Sequence, residues 1–198
     1  MYQSKNFDHL LGLAGFSDAL LKNHFALYQG YVTNANKLID ELKTAQPGTP
    51  QYNELKRRFG WEWNGMRLHE YYFGNMSKAS MAFEGESAAG KKIISEFGSY
   101  ENWEKDFKAA GAMRGIGWVI LAEDLSSGKL FNVWVNEHDA GHLAGARILL
   151  VMDVFEHAFM LDYGLKRADY IEAFLKTLDW EAVSARLSPD GGFTRYVA

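Results

Sequence analysis

The sequence predicts an α+β protein, with an N-terminal antiparallel helical hairpin and a C-terminal α/β lobe that contains a three-stranded antiparallel sheet. Two observations support this prediction. Helical patterns fill the first half of the chain and its last part, and stretches rich in β-branched and aromatic residues are confined to the region between them. Helices and strands that are segregated along the chain are typical of α+β folds. We therefore expect two domains, residues 1–82 and residues 83–198.

The first predicted helix covers residues 18–44, "DALLKNHFALYQGYVTNANKLIDELKT". Ser17 is a favourable N-cap, and Phe16 before it can pack as a hydrophobic staple against the leucines of the first two turns. The breakers of "AQPGTP" end this helix, and a second helix is predicted over residues 51–76. The short connection between them favours an antiparallel pair.

The centre of the chain predicts the sheet. Residues 117–124 and 129–137 are rich in β-branched and aromatic side chains and are separated by a short turn, which indicates a β-hairpin. Residues 146–153, "ARILLVMD", are apolar on both faces and predict a buried third strand. Ser99 is a suitable cap for a helix that precedes the hairpin. Further helical patterns follow the strands over residues 154–163, 168–178 and 180–187.

Composition excludes several classes of protein and of site. The 198 residues are 47% hydrophobic and 15% aromatic, which is typical of a packed globule. The net charge of −4 does not suggest a nucleic-acid partner. Without cysteine, a metal site must use His, Asp and Glu. No apolar run approaches the roughly 18 residues that span a bilayer, and no signal peptide is evident, so we expect a cytoplasmic protein without membrane contact.

Three polar residues interrupt the apolar segment "LLVMDVFEHAFMLDY", and burying them costs free energy. They are Asp153, Glu156 and His157. Asp153 and His157 are four residues apart at the end of a predicted strand, so both can converge on a first-row metal ion. A core histidine hydrogen-bonded to a neighbouring carboxylate explains the same pair equally well and is the commoner arrangement.

Two further histidines lie in aromatic-rich helices. His24 shares one helical stripe with Tyr28 and Tyr31, at spacings of four and seven residues. His69 lies in "GMRLHEYYF" of the second helix. Each alone is more often a core residue than a ligand, and only the ordered combination of these segments is specific.

That combination resembles the iron/manganese superoxide dismutase family. "DVFEHAFMLDY", "KRADYI", "GIGWVIL", "YVTNANKL" and "LHEYYFGNM" are similar to five family motifs and occur in family order. The resemblance implies conversion of superoxide to O₂ and H₂O₂ by one iron or manganese ion per subunit of a homodimer or tetramer. It places the metal between the two domains. The ligands that it implies are His24, His69, Asp153 and His157.

The first ligand departs from the family spacing. In the family the ligand His precedes the gateway tyrosine by eight residues, a position that Asn23 occupies here relative to Tyr31, whereas His24 precedes Tyr31 by seven. At about 100° per residue, eight steps leave two side chains about 80° apart and seven leave about 20°. The family spacing therefore fits a helix with a π-bulge, and this chain predicts a more regular helix with His24 as ligand. The alternative is Asn23 at the ligand position and an altered site.

The resemblance also implies residues around the metal. Tyr31 matches the gateway tyrosine, Tyr28 stands near a second funnel histidine, and Trp118 matches a tryptophan of the pocket. Gly65 stands where the iron type carries a glutamine that bonds the metal-bound solvent. His138 stands where the manganese type carries that glutamine, so His138 is predicted to be the solvent partner. This substitution marks a divergent member and leaves open manganese, iron or either metal.

Glu156 is implied at the dimer interface, where the family pairs this glutamate with the partner's His157. Arg167 is a candidate source of positive potential for the superoxide anion. Phe155, Phe159 and Met160 replace aromatic residues of the family signature. These departures keep open a non-catalytic, metal-binding homodimeric scaffold. A two-His, one-carboxylate oxygenase is a third hypothesis, and it requires the first ligand to be missing.

Overall fold

The computed structural model describes residues 1–79 and 82–188 and confirms the α+β architecture. The division at residue 82 stays a prediction, and residues 80–81 and 189–198 of the predicted domains lie outside the described residues. Within the described part of the chain, no helix is both long and apolar enough to cross a membrane. The elements are helices α1 Asp18–Thr44, α2 Pro50–Phe73, α3 Ala88–Phe97, α4 Tyr100–Gly111, α5 Met160–Tyr163, α6 Arg167–Leu175 and α7 Trp180–Arg186, strands β1 Gly117–Asp124, β2 Leu130–Asn136 and β3 Ala146–Asp153, and 3₁₀ turns Asp8–Leu10 and Glu156–Ala158.

Both helices of the hairpin, α1 and α2, begin at residues whose side chains cap them. The Ser17 hydroxyl accepts a hydrogen bond from the Leu20 amide and starts α1. Thr49 caps α2 in the same way, and Pro50 occupies the first helical position, where its missing N–H costs nothing. The two helices pack through aromatic rings, among them Phe25 and Phe73 with centroids 5.0 Å apart.

The sheet has the order β2-β1-β3, with both pairs antiparallel. Strand β1 is central, and its first seven residues are buried. Trp118 near the start of β1 is paired with Val135 of β2 and with Asp153 of β3. One end of the sheet therefore brings together the beginning of β1, the end of β2 and the end of β3.

The segment after β3 differs from the helix that the sequence predicts over residues 154–163. It forms a 3₁₀ turn and the single-turn helix α5 instead. The Asp153 carboxylate accepts a hydrogen bond from the Phe155 amide at 2.8 Å, which stabilises a turn directly after the strand. Phe159 adopts a φ of −143°, which separates the 3₁₀ turn from α5.

Buried polar side chains join α2 to the sheet. Arg186 of α7 is 4% exposed and donates to the side-chain oxygen of Asn75, to the Leu149 carbonyl at 2.7 Å and to the Gly74 carbonyl at 3.2 Å. Asn75 donates in turn to the Val151 carbonyl at 2.6 Å. The guanidinium thus satisfies the end of α2 and an inner carbonyl of β3 at once. Burial lowers the pKa of Arg186 to about 10, so the group stays charged at neutral pH.

We expect Arg186→Met to lower the free energy of unfolding by about 3 kcal/mol, because it leaves two buried acceptors and one partly buried acceptor without this donor. Urea denaturation of the metal-loaded protein measures this loss. Arg57→Met is the matched control, since Arg57 lies on the surface of α2 with its side chain 76% exposed, and it should change stability by less than about 0.5 kcal/mol. Equal effects of the two substitutions would contradict the role of Arg186.

Candidate metal centre

Four side chains from distant parts of the chain converge on one point. They are His24 of α1, His69 of α2, Asp153 at the end of β3 and His157 of the following 3₁₀ turn. One potential ligand atom from each lies within 4.8 Å of the others. His24, His69 and Asp153 are buried, and His157 is partly exposed. The helical hairpin and the C-terminal lobe therefore each contribute two ligands.

The Asp153 carboxylate is the centre of this cluster. Its Oδ2 lies 3.2 Å from His24 Nε2, 3.1 Å from His157 Nε2 and 3.7 Å from His69 Nε2. Its Oδ1 is held by the Phe155 amide. One carboxylate oxygen thus faces three imidazole nitrogens.

Burial and neighbouring charges favour neutral imidazoles at His24 and His69 and an ionised carboxylate at Asp153. Burial lowers the pKa of His24, and burial together with the neighbouring His24 ring lowers the pKa of His69 well below the ordinary value. Burial by itself would raise the pKa of the Asp153 carboxyl. The neighbouring His157 and His24 outweigh burial and hold that pKa well below its usual range. Neutral imidazole and carboxylate are the protonation states that bind metals.

His69 provides the test of whether these residues fit a metal. Its Nδ1 lies 2.6 Å from the Gly65 carbonyl oxygen, which can only accept, so Nδ1 carries the hydrogen and Nε2 carries a lone pair. His69 Nε2 is buried and has no hydrogen-bond partner among the described residues. A buried lone pair without a partner costs free energy that a bound cation offsets. Three imidazoles and one carboxylate suit iron or manganese, so the residues fit the ion.

The first ligand is His24, as predicted. Helix α1 is regular α-helix from Asp18 to Thr44 and contains no π-helical turn. His24 is 2% exposed and joins the cluster, whereas Asn23 is exposed. Asn23 as ligand is therefore wrong. The oxygenase hypothesis is also wrong, because it requires the first ligand to be missing.

A line of hydrogen bonds borders the cluster. Trp118 Nε1 donates to His138 Nδ1 at 3.0 Å, and His138 Nε2 lies 2.8 Å from the Tyr31 hydroxyl. Burial lowers the pKa of His138 to about 4, so this imidazole is neutral at physiological pH. Burial also raises the pKa of Tyr31 to about 12, so the phenol keeps its proton. The two rings lie close to His69, with centroids 5.2 Å (Tyr31) and 6.3 Å (His138) from it.

Gly65 makes room for Tyr31. A Cβ atom at residue 65 would lie 2.5 Å from the Tyr31 ring, too close for any side chain unless the ring moves. The space that a longer residue at position 65 would need is therefore filled by the tyrosine.

Tyr28 is fully buried and lies outside the line formed by Trp118, His138 and Tyr31. Its hydroxyl donates to Glu70 Oε1 at 2.9 Å and accepts from the Lys5 amide at 3.0 Å. Tyr28 therefore links α1 to α2 and to the N-terminal segment.

Sequence reasoning missed Trp61 and Glu70. The Trp61 ring meets the His138 ring edge to face at 4.8 Å. Trp61, Gly65 and His69 follow one another at four-residue spacing, so they share one face of α2, and this periodicity could have indicated Trp61. Glu70 carried no comparable signal, because its partner Tyr28 lies on the other helix.

Glu156 and Arg167, which were also predicted for the site, are both at least partly exposed. Glu156 is exposed beside His157. Arg167 donates to the carbonyls of Met113, Gly115 and Val154, so its guanidinium is held by backbone oxygens.

Comparison with known proteins gives concordant results. The family model for iron/manganese superoxide dismutases, C-terminal domain, matches residues 85–186. An iron superoxide dismutase of Aquifex pyrophilus is 35% identical over 190 residues, which cover 90% of this chain and 88% of the relative. A manganese superoxide dismutase (number 2) of Haloferax volcanii is 36% identical over 167 residues, 83% of this chain and 82% of the relative. An iron superoxide dismutase of Cupriavidus metallidurans is 34% identical over 182 residues, 89% and 90% of the two chains.

We expect His24→Ala to lower the affinity for manganese or iron by at least about 100-fold, since the ion loses one of its four protein ligands. Elemental analysis of the purified protein, combined with chelator competition, measures the metal bound per chain. Asn23→Ala is the matched control one residue away and should bind metal as the wild type does. Loss of metal in Asn23→Ala but not in His24→Ala would reverse the ligand assignment.

Proposed function

The chain belongs to the iron/manganese superoxide dismutase family, and from this membership we propose roles for the individual residues of its pocket. It is an oxidoreductase that converts superoxide to O₂ and H₂O₂. Its single iron or manganese site is formed by His24, His69, Asp153 and His157. The observation that carries this conclusion is the convergence of three imidazole nitrogens on one buried carboxylate oxygen.

An iron or manganese ion held by His24, His69, Asp153 and His157 would supply the one-electron redox chemistry of the reaction. The protein residues bind and shield the ion. The three imidazoles would supply lone pairs, and Asp153 would supply the one negative charge among the four ligands. Tyr31 is half-buried at the border of the cluster and keeps its proton at neutral pH, so it can hydrogen-bond to an anion that enters.

We propose that Tyr31, His138 and Trp118 form the polar wall of the pocket, with His138 in the position at which manganese-type members carry glutamine. The hydrogen bonds that connect these three residues support the proposal. Gly65 is part of the same arrangement, because the absence of a side chain there admits the Tyr31 ring.

We further propose that the site accepts either metal. Relatives named for iron and relatives named for manganese match this chain at 35% and 36% identity, which favours neither ion. A cytoplasmic location is also proposed, in keeping with the absence of cysteine. With a net charge of −4, no nucleic-acid partner is proposed.

We expect metal-free protein reloaded separately with manganese and with iron to scavenge superoxide with at least one of them. Inhibition of superoxide-dependent cytochrome c reduction, normalised to bound metal, measures the activity. Zinc-loaded protein is the control, because zinc binds the same ligand types but has no redox chemistry. Full loading with both metals and no activity with either would contradict the catalytic role and favour the non-catalytic scaffold.

We propose that the chain forms a homodimer in which Glu156 contacts the partner's His157. His157 Nε2 faces Asp153, while its Nδ1 has no hydrogen-bond partner among the described residues. Exposed Glu156 is adjacent, and a carboxylate on that nitrogen would orient the imidazole and raise its basicity. The exposed side chains of Met160, Leu161 and Leu165 lie in the same segment and offer an apolar surface. A tetramer would be a pair of such dimers.

We expect Glu156→Gln to weaken the dimer by about 10- to 100-fold in dissociation constant, because two charged contacts related by the two-fold axis are lost. Sedimentation over a range of protein concentrations measures this change. Glu86→Gln is the matched control at a side chain that is 95% exposed on the C-terminal lobe, and it should leave the association unchanged. A monomeric wild-type protein would contradict the proposed interface.

A further inference from the structure

Both ring nitrogens of His138 are engaged, and the hydrogen-bond partner on one side fixes the direction of both bonds. Trp118 Nε1 can only donate, and it lies 3.0 Å from His138 Nδ1. Nδ1 must therefore accept. In a neutral imidazole the single hydrogen is then on Nε2, and Nε2 lies 2.8 Å from the Tyr31 hydroxyl oxygen. His138 consequently donates and Tyr31 accepts.

The His138 ring cannot turn easily to point this N–H elsewhere. It is fully buried, with Phe155 stacked on it at 4.8 Å and an angle of 24°. Trp61 closes another side at 4.8 Å and 85°. The ring is therefore held between two aromatic side chains in the orientation that joins Trp118 to Tyr31.

A histidine at this position has fewer donors than a glutamine would have. A carboxamide offers one acceptor oxygen and two N–H groups, so it can accept from the tryptophan, donate to the tyrosine and still donate once more. An imidazole that accepts on one nitrogen has a single N–H, and Tyr31 takes it. The Tyr31 hydroxyl hydrogen, in contrast, has no acceptor among the described residues.

We propose that His138 is a positioning residue that acts through Tyr31. It orients the phenol so that the Tyr31 hydroxyl is the side-chain donor offered to an anion in the pocket, in place of a direct hydrogen bond from residue 138. This inference deepens the proposed function and differs from the role that the family resemblance implies for residue 138. His138 therefore affects the pocket only through its hydrogen bond to Tyr31.

The direction of the bond can be tested by nuclear magnetic resonance without any dismutase assay. The full chain is labelled with ¹⁵N-histidine and loaded with zinc, which has no unpaired electrons. We expect His138 to show the Nε2–H tautomer in the wild type. In Tyr31→Phe the Nε2–H proton should shift and exchange with solvent at least about tenfold faster, because its acceptor is gone.

Tyr52→Phe is the matched control, since Tyr52 lies at the start of α2 beside Lys56, and it should leave the His138 signals unchanged. An Nδ1–H tautomer in the wild type would overturn the inference. So would an Nε2–H proton whose shift and exchange are the same in Tyr31→Phe. Neither outcome depends on whether the protein is a dismutase.

A second measurement addresses which side chain reaches the pocket. The reduction midpoint potential is measured for the manganese- or iron-loaded wild type, Tyr31→Phe, His138→Gln and the double variant. If Tyr31 is the donor and His138 acts through it, Tyr31→Phe shifts the potential in the wild-type background. In the His138→Gln background the shift should be smaller, because the second amide N–H can supply the lost hydrogen bond. Equal or larger shifts in that background would contradict the inference.

Discussion

A single buried carboxylate oxygen organises this molecule. Asp153 Oδ2 faces three imidazole nitrogens, and burial keeps two of these rings, His24 and His69, from carrying charge that would balance it. Burying this carboxylate charge costs free energy in the absence of a cation, whereas a bound metal ion compensates it. The free energy of metal binding is therefore linked to folding, because the four ligands are assembled only when both lobes are in place.

The rest of the fold can be understood as the support for that oxygen. Asp153 ends β3 next to Trp118, so the sheet fixes its backbone, and the Tyr170 hydroxyl donates to its carbonyl oxygen at 2.6 Å. The start of α1 is tied to the same region, because Asp162 accepts hydrogen bonds from the amide and the hydroxyl of Ser17. Buried Arg186 connects the end of α2 to β3. Hydrogen bonds therefore hold the start of α1, the end of α2 and the end of β3, which are the ends that carry ligands.

Much of this could be predicted from the sequence because it depends on local rules. Caps at Ser17 and Ser99 start helices where expected, and the third strand has its predicted bounds. The choice of His24 over Asn23 combined the ligand spacing that the family resemblance implies with helical geometry. The site itself was predicted by resemblance to a family, since Asp153 with His157 also fits an ordinary core pair.

What the sequence could not predict are partnerships between distant residues. Trp118 and His138 are 20 positions apart and Tyr31 and His138 are 107 apart, so no periodicity reveals that they share two hydrogen bonds. The helix predicted after β3 is instead a 3₁₀ turn and the single-turn helix α5, which are separated at Phe159, and the Asp153 carboxylate binds the Phe155 amide at the start of this segment. The same carboxylate that binds metal with one oxygen shapes the backbone with the other.

The close approach of Tyr31 to Gly65 restricts how this protein can evolve. A change from the glycine to a larger residue at position 65 must displace a ring that is also bonded to His138 and stacked on His69. A larger residue at position 65 alone would crowd this region, and a smaller residue at position 31 alone would leave it underpacked. Replacing Gly65 by a residue with a longer side chain therefore requires coordinated changes at several positions, so single mutations preserve the present packing of Tyr31 against Gly65.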